Sequence, residues 1–378
     1  MQIDRPLAQS PARYLAEHRP DTPILFFAPA VLQETARRFR AEIDGLVTYA
    51  VKANDRPEVL NNLVAAGISA FDVASPAEMA AVRAADPRAV LHYNNPVRSE
   101  AEVQAGIALG VASWSVDDPA ELQKLDAVPR EAEVAVRFAL PVAGAAYDFG
   151  SKFGATPELA ARLLRRVAQM GFVPALCFHP GTQCHDPAAW VHYVETAAAI
   201  AEAAGVRIAR LNIGGGFAAD RGFEAPDHKA VFAAVAQARD TAFGEARPDL
   251  LCEPGRAMVA SSCVIAARIK ALRNGANTVF LNDGIYGGLT ELRDIGLSRL
   301  VSVVSPDGVL RHGAAEPRIV FGPTCDSLDR LPDGLALPED AEVGDYVLFA
   351  GMGAYSIATN TGFNGYGLRQ IEMVSALE

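Results

Sequence analysis

A (β/α)8 barrel followed by an all-β C-terminal domain is the fold class predicted for this chain, on three observations. Eight short apolar runs alternate with amphipathic segments between residues 46 and 253. Helix-capping residues and stop glycines fall between those runs. Beyond about residue 258 the helical periodicity fades, and apolar runs are broken by Gly, Pro and Asp. Eight βα units in series imply a parallel barrel closed on itself. An open doubly wound sheet stays possible, because closure cannot be read from one sequence.

The tetrapeptide Ile24-Leu25-Phe26-Phe27 comes first and can complete the β domain. That makes the β domain discontinuous, 1–27 plus 258–378, around a barrel of 28–257. Barrel strands are expected at 46–51, 70–74, 89–94, 113–116, 133–140, 175–179, 210–213 and 250–253. Ser75 with Glu78, Ser99 with Glu102 and Asp118 with Glu121 have the spacing of a helix cap and its third-position carboxylate. Thr156-Pro157 and Asp186-Pro187 place a capping side chain before a first-turn proline. Gly67, Gly110, Gly171 and Gly205 stand where helices should stop. Between 157 and 170, Leu159, Leu163, Leu164, Val167 and Met170 share one helical stripe that would face the sheet. In the β domain, strands are expected at 258–269, 278–281, 300–304, 318–321 and 345–350.

Composition narrows the function. The chain has 378 residues, too many for one simple core, and its 50% hydrophobic and 21% charged content suits a soluble, well-packed protein. A net charge of −11 argues against nucleic acid or an anionic membrane as partner, and is compatible with a small cationic substrate. The first residues lack the pattern of a signal peptide, and no apolar run approaches the roughly 18 residues of a membrane span. Five cysteines without CxxC spacing give no metal site and fit reduced thiols in a cytoplasmic protein.

In such a barrel the reacting groups gather at the carboxyl ends of the strands. Lys52 ends the first run, where an amine held away from bulk water loses proton affinity and can attack a carbonyl. A lysine snorkelling to solvent is the plainer reading. Asp72 with Ser75, Asn94, Arg137, His179, Gly214-Gly215-Gly216 and Glu253 with Arg256 end other runs. The glycine triplet can bring backbone N–H groups against a phosphate, or be a flexible turn; Arg256 adds a bidentate phosphate donor. Glu253 can keep a pyridine nitrogen protonated, and His179 can lie flat on a ring. Amine, phosphate cradle and carboxylate together describe pyridoxal phosphate.

Ten ordered motifs extend that picture over nearly the whole chain. They are Tyr-Ala-Val-Lys-Ala-Asn (49–54), Phe-Asp-Val-Ala-Ser (71–75), Ser-Lys-Phe-Gly-Ala (151–155), Phe-His-Pro-Gly-Thr-Gln (178–183) and Gly-Gly-Gly-Phe (214–217). Glu-Pro-Gly-Arg (253–256), Asn-Asp-Gly-Ile-Tyr-Gly (282–287), Gly-Pro-Thr-Cys-Asp-Ser (322–327), Met-Gly-Ala-Tyr (352–355) and Phe-Asn-Gly-Tyr (363–366) follow. With these the chain resembles the ornithine/lysine/diaminopimelate/arginine decarboxylase family of pyridoxal-phosphate enzymes, whose fold is alanine-racemase-like.

The resemblance implies that Lys52 binds the cofactor covalently, Glu253 faces its ring nitrogen and His179 stacks on the ring. It implies Gly214, Gly215, Gly216, Thr182, Arg256 and Tyr355 around the phosphate, with Asp72 and Arg137 supporting the ring side. Cys325 would protonate the substrate carbon and Asp326 would bind a distal amine. Tyr286, Phe363 and Asp294 would line the substrate, with Glu291 a further helper. Cys325 and Asp326 would reach the site from the other subunit of a head-to-tail homodimer.

Some residues depart from the family's pattern. Thr182 stands where serine is common, Pro180 lacks an N–H, and the segment 287–294 does not match that of eukaryotic ornithine enzymes. Glu253 favours decarboxylation over racemisation, which suits a weaker electron sink. A catalytically dead decoy would have lost the lysine, the cysteine or phosphate ligands, and a barrel-only homeostasis protein would lack the β domain. Asp326 favours ornithine, leading to putrescine and polyamines, with lysine a slower substrate; arginine or another diamino acid stays open, because the segment 287–294 is unfamiliar. Diaminopimelate is disfavoured because those relatives carry glutamate after the cysteine.

Overall fold

The computed structural model describes residues 8–140 and 152–378, so the first seven residues and 141–151, with Ser151 of the third motif, lie outside it. The chain divides into two units. One comprises residues 34–218 and 226–258; the other runs up to Gln33 and adds 219–225 and 259–378. The segment 219–225, assigned to the barrel on sequence, goes with the second unit. There the Arg221 carbonyl accepts from the Arg299 N–H at 2.9 Å and from the Ser298 hydroxyl at 3.2 Å.

Strand β1 (Ile24–Phe27) belongs to the second unit. The next eight are β2 (Gly45–Ala50), β3 (Ala70–Val73), β4 (Val90–Tyr93), β5 (Val111–Val116), β6 (Glu133–Arg137), β7 (Val173–Cys177), β8 (Arg210–Asn212) and β9 (Asp249–Cys252). All pair in parallel in that order, and Gly45 opposite Leu250 closes the barrel, which rules out the open sheet. Gly45 makes that seam possible, because a Cβ there would lie 2.4 Å from the Leu250 carbonyl oxygen.

Most offsets from the expected strands are of one or two residues and have physical causes. β7 starts at Val173 and includes Pro174, which a sequence reading excludes because proline cannot donate to a ladder. Here the Pro174 carbonyl still accepts from Ala209 N–H at 2.9 Å. The expected 133–140 run stops at Arg137, with a single bridge from Phe138 to Ala155 beyond it.

Helix starts follow the caps. Ser99 and Glu102 form a complete reciprocal box, at 3.2 and 2.7 Å. Asp118 caps Ala120 instead, and Glu121 turns to the Arg98 N–H and the Lys124 ammonium, so the box expected there does not form. The helix Pro157–Gln169 buries Leu163, Leu164 and Val167 together with Ala160 and Ala161, while Leu159 and Met170 are half-buried. The helix Pro187–Ala204 ends at Gly205, whose φ of 64° is left-handed.

The second unit is built on an eight-stranded sheet. Its further strands are β10 (Cys263–Arg273), β11 (Thr278–Leu281), β12 (Val301–Val304), β13 (Ala315–Phe321), β14 (Leu335–Pro338), β15 (Tyr346–Ala350) and β16 (Gln370–Met373). The order is β12-β15-β10-β11-β13-β14, and β1 joins β10 antiparallel and β16 parallel. The run expected at 258–269 begins only at Cys263, because Arg256–Val259 is a helical turn. All four residues of β1 are buried, and each large side chain so placed is worth about 1.5–3 kcal/mol.

Candidate active site

Lys52 occupies a 3₁₀ turn, Val51–Ala53, directly after β2, which carries its side chain to the carboxyl mouth of the barrel. Gly255 lets the turn after β9 pack against it, since a Cβ there would lie 3.2 Å from the Cβ atoms of both Ala50 and Ala53. The Lys52 charge acts on Asp72, Glu78, Glu253 and His179, so these groups share one mouth.

Glu253 sits one residue past β9. Its Oε1 accepts from the Asn94 amide at 2.5 Å and also from the Asn212 amide. Burial, and then the Asp72 charge, push its carboxyl up to about 8. Burial also raises Asp72, against the Lys52 charge and hydrogen bonds from Asn94. Asn94 therefore bridges the two carboxyl groups. Glu78 is pushed up to about 7 by burial while it accepts from the Ala74 N–H at 2.7 Å.

His179 is neutral. Burial, followed by the Lys52 and Arg137 charges, holds it well below the ordinary imidazole range. Its Nδ1 accepts from the Gly181 N–H at 3.2 Å, which places the ring proton on Nε2. Gly215 lies against this ring: an added Cβ would be 3.3 Å from Nε2 and 2.7 Å from the Glu253 carbonyl oxygen. The loop through Gly181 and Thr182 is pinned to the triplet, with Cys184 N–H donating to the Gly216 carbonyl at 2.9 Å. Arg137 ends β6 with its guanidinium 5.2 Å from the Phe153 ring centre. Lys52, Asp72, Arg137, His179, Thr182, the glycine triplet, Glu253 and Arg256 all lie in the barrel unit, on or just beyond strand ends.

A second cluster lies in the β unit. The Tyr286 hydroxyl donates to Asp326 at 2.6 Å, and that bond holds the Asp326 carboxyl below its usual range. Phe363 stacks at a tilt on Tyr286, with ring centres 5.2 Å apart. The buried Asp329 ties the two loops together: one carboxylate oxygen accepts from Ile285 N–H and the other from Thr324 N–H, both at 3.0 Å. Gly284 and Gly322 leave room for it, as a Cβ on either would lie 2.2 Å from that carboxylate. Asp294 is exposed and paired with Arg293 at 2.8 Å, and no hydrogen bond joins it to Tyr286 or Asp326 among the described residues. Glu291 is buried. Tyr355, also in this unit, has a left-handed φ of 60°.

Comparison with known proteins settles the family. Residues 30–260 match the model of the pyridoxal-dependent decarboxylase pyridoxal-binding domain. The chain belongs to the pyridoxal-dependent decarboxylases. Ornithine decarboxylase of Mus musculus is 30% identical over 345 residues, 84% of this chain and 73% of that protein. Lysine/ornithine decarboxylase of Selenomonas ruminantium is 30% identical over 374 residues, 95% and 91% of the two chains. The solved lysine/ornithine decarboxylase of Vibrio vulnificus, complexed with cadaverine, superposes with a TM-score of 0.84 at 26% identity, covering 98% of this chain and all of the other.

This decarboxylase is an amino-acid lyase, and its cofactor is pyridoxal 5'-phosphate. The mouth of the barrel fits that group: an amine, a neutral flat ring, a carboxyl and a glycine loop with no space for a Cβ converge on it.

Two contributors to this mouth escaped the sequence reading. Sequence places Asn94 at the rim but gives it no role. Asn212 was hidden inside an apolar run, yet its Oδ1 accepts from Gly214 N–H at 2.9 Å while its amide holds Glu253. The signal was available, as a polar residue interrupting Leu211-Asn212-Ile213 immediately before the glycine triplet.

The raised Glu253 carboxyl has a measurable sign. Folded, it keeps its proton to about pH 8, whereas unfolded it loses it near 4.5. Its stabilising contribution is therefore full below pH 4.5 and lost as the pH rises to 8. In the cofactor-free decarboxylase, the stability of wild type relative to Glu253→Gln should shrink between pH 5 and 8. The limit is about 1.4 kcal/mol per pH unit for one group. Urea unfolding across that range tests it, and a constant difference refutes the raised carboxyl.

Proposed function

We propose that this enzyme decarboxylates a basic amino acid, L-ornithine before L-lysine, releasing putrescine for polyamine synthesis. The observation that carries the reading is the Tyr286–Asp326 pair with Phe363 beside it. Asp326 stays ionised, and its hydroxyl partner orients it toward a distal ammonium while the aromatic rings take the methylene chain. A neutral side chain such as that of norleucine would leave this carboxylate unpaired on burial, a far larger loss than the roughly 1–3 kcal/mol of a misplaced methylene. The relatives named for ornithine and lysine point the same way.

Bound pyridoxal phosphate supplies an electron sink for the pair left when the bond to the carboxylate breaks. In this reading Lys52 would hold the cofactor covalently, Glu253 would keep a proton at its ring nitrogen, and neutral His179 would pack against the ring without adding charge. Gly214, Gly215 and Gly216 with Arg256, Thr182 and Tyr355 bind the phosphate. Asp72, in contact with Asn94, and Arg137 fix the surrounding charge. Cys325 gives its thiol proton to the carbon that has lost CO2 and regains one from solvent.

The active unit is a homodimer in which the β unit of one subunit completes the barrel site of the other. Leu328, Phe363 and Tyr366 support this, since they leave apolar surface at 71%, 44% and 38% exposure around Cys325 and Asp326. The cytoplasm is the expected compartment, in keeping with five free thiols. No helix of the described residues is long and apolar enough to cross a membrane.

The test is kcat/KM for ornithine, lysine, arginine and diaminopimelate measured side by side. Ornithine should lead, with lysine second. A lead for diaminopimelate, or turnover of none of the four by cofactor-loaded enzyme, would overturn the specificity.

A further inference from the structure

The geometry points to Asn364 as the positioning residue that orients the Cys325 thiol for proton delivery. This rests on the reading of Cys325 as the proton donor. Asn364 Oδ1 accepts from two groups of one residue, the Cys325 backbone N–H at 3.1 Å and the Cys325 Sγ–H at 3.2 Å. Two donors from the same residue on one oxygen fix the torsion between them, so the thiol is held in a single rotamer. Both contacts need an acceptor, which also decides which end of the amide faces the cysteine.

The segment bearing Asn364 is itself anchored. Thr361 binds the Tyr286 carbonyl twice, by its N–H at 3.0 Å and its hydroxyl at 2.7 Å, and the hydroxyl also accepts from Phe363 N–H. Tyr286 in turn holds Asp326, the residue after Cys325. The chain of contacts therefore closes on itself through Thr361, Tyr286, Asp326, Cys325 and Asn364. Asn364 adopts a left-handed φ of 53°, which asparagine tolerates better than most residues.

The consequence lies in where the proton goes after CO2 leaves. Delivered to the substrate carbon, it yields the amine and returns the cofactor unchanged. Delivered instead to the cofactor's carbonyl carbon, it would leave the substrate's amino group on the cofactor as pyridoxamine phosphate, with the substrate carbon released as an aldehyde after addition of water. The substrate carbon would thereby be oxidised as the cofactor is reduced. A thiol held in one orientation keeps the first outcome dominant.

Three holoenzyme variants test this, with the best substrate of the four amino acids, by amine formed per CO2 and by pyridoxamine phosphate accumulated. Asn364→Gly keeps the left-handed backbone without strain and removes the acceptor. It should raise pyridoxamine phosphate about two- to tenfold over wild type, the range covered by one net hydrogen bond. Asn364→Asp keeps the acceptor and should stay within about twofold of wild type. Cys325→Ala should exceed the glycine variant. A wild-type partition in Asn364→Gly, with Cys325→Ala clearly altered, overturns the role of Asn364 alone. An aspartate variant matching the glycine one overturns the hydrogen-bond argument. A Cys325→Ala enzyme with unchanged partition removes the proton-donor reading and this inference with it.

Discussion

Lys52→Ala should abolish turnover and remove the borohydride-reducible link to the cofactor, with residual rates at the assay floor. The turn that presents Lys52 is rigid: Val51 and Ala53 are buried on either side, and Gly255 abuts it. The alanine variant should therefore fold and still bind pyridoxal phosphate through the phosphate cradle, without a covalent bond. Mass spectrometry after reduction reads this directly, and a retained adduct would reassign the lysine. The same variant tests the shared site. Mixed with equal amounts of Cys325→Ala, random exchange makes half of the dimers mixed, each with one intact site of two. About a quarter of wild-type amine formation should then return, above the residual rate of Cys325→Ala alone. No return despite demonstrated exchange would show that each chain builds its own site.

Glu253→Ala should bind the cofactor but lose on the order of 10²–10³ in kcat, the usual cost of removing a preorganised electrostatic partner. The side chain is held by two amides, from Asn94 and Asn212, on one oxygen. Its raised proton affinity in the cofactor-free protein would let it supply the proton that the proposed electron sink needs at the ring nitrogen. Asn212→Ala should cost less, because Asn94 still holds the carboxyl; a cost equal to that of Glu253→Ala would show that Asn94 alone does not hold it. Steady-state kinetics with a visible spectrum of the bound cofactor separates lost binding from lost chemistry. Wild-type kcat in Glu253→Ala would refute its part in the electron sink.

The barrel was legible because its signals are local. Lys52, His179 and Glu253 each end an apolar run, and the caps at Ser75, Ser99, Thr156 and Asp186 mark the intervening helices. What escaped depends on partners far away in the chain. Pro174 reads as a strand breaker, yet its position at the start of β7 asks only for an acceptor. β14 and β16 are four residues each, too short for a period to declare itself, and β16 is specified by its pairing with β1. Asp329 looks like an ordinary loop aspartate three positions after Asp326. Only the approach of Gly284 and Gly322 reveals it as the tie between two loops. Asp294 is exposed and pairs with Arg293 beside it, a contact the sequence spacing alone does not reveal.

The pairing of β1 also shapes how the chain must be made. Phe27 finds its partner Cys263 only after roughly 240 further residues have been synthesised, and the whole barrel is encoded in between. At typical translation speeds that interval is on the order of 10–50 s. During it, Ile24-Leu25-Phe26-Phe27 is an uncharged, strand-prone segment with both of its edges open. Pro23 and Pro29 bracket it at close range. Neither can donate to a ladder, so they act as gatekeepers that limit the growth of any intermolecular sheet while the nascent segment waits for its partners.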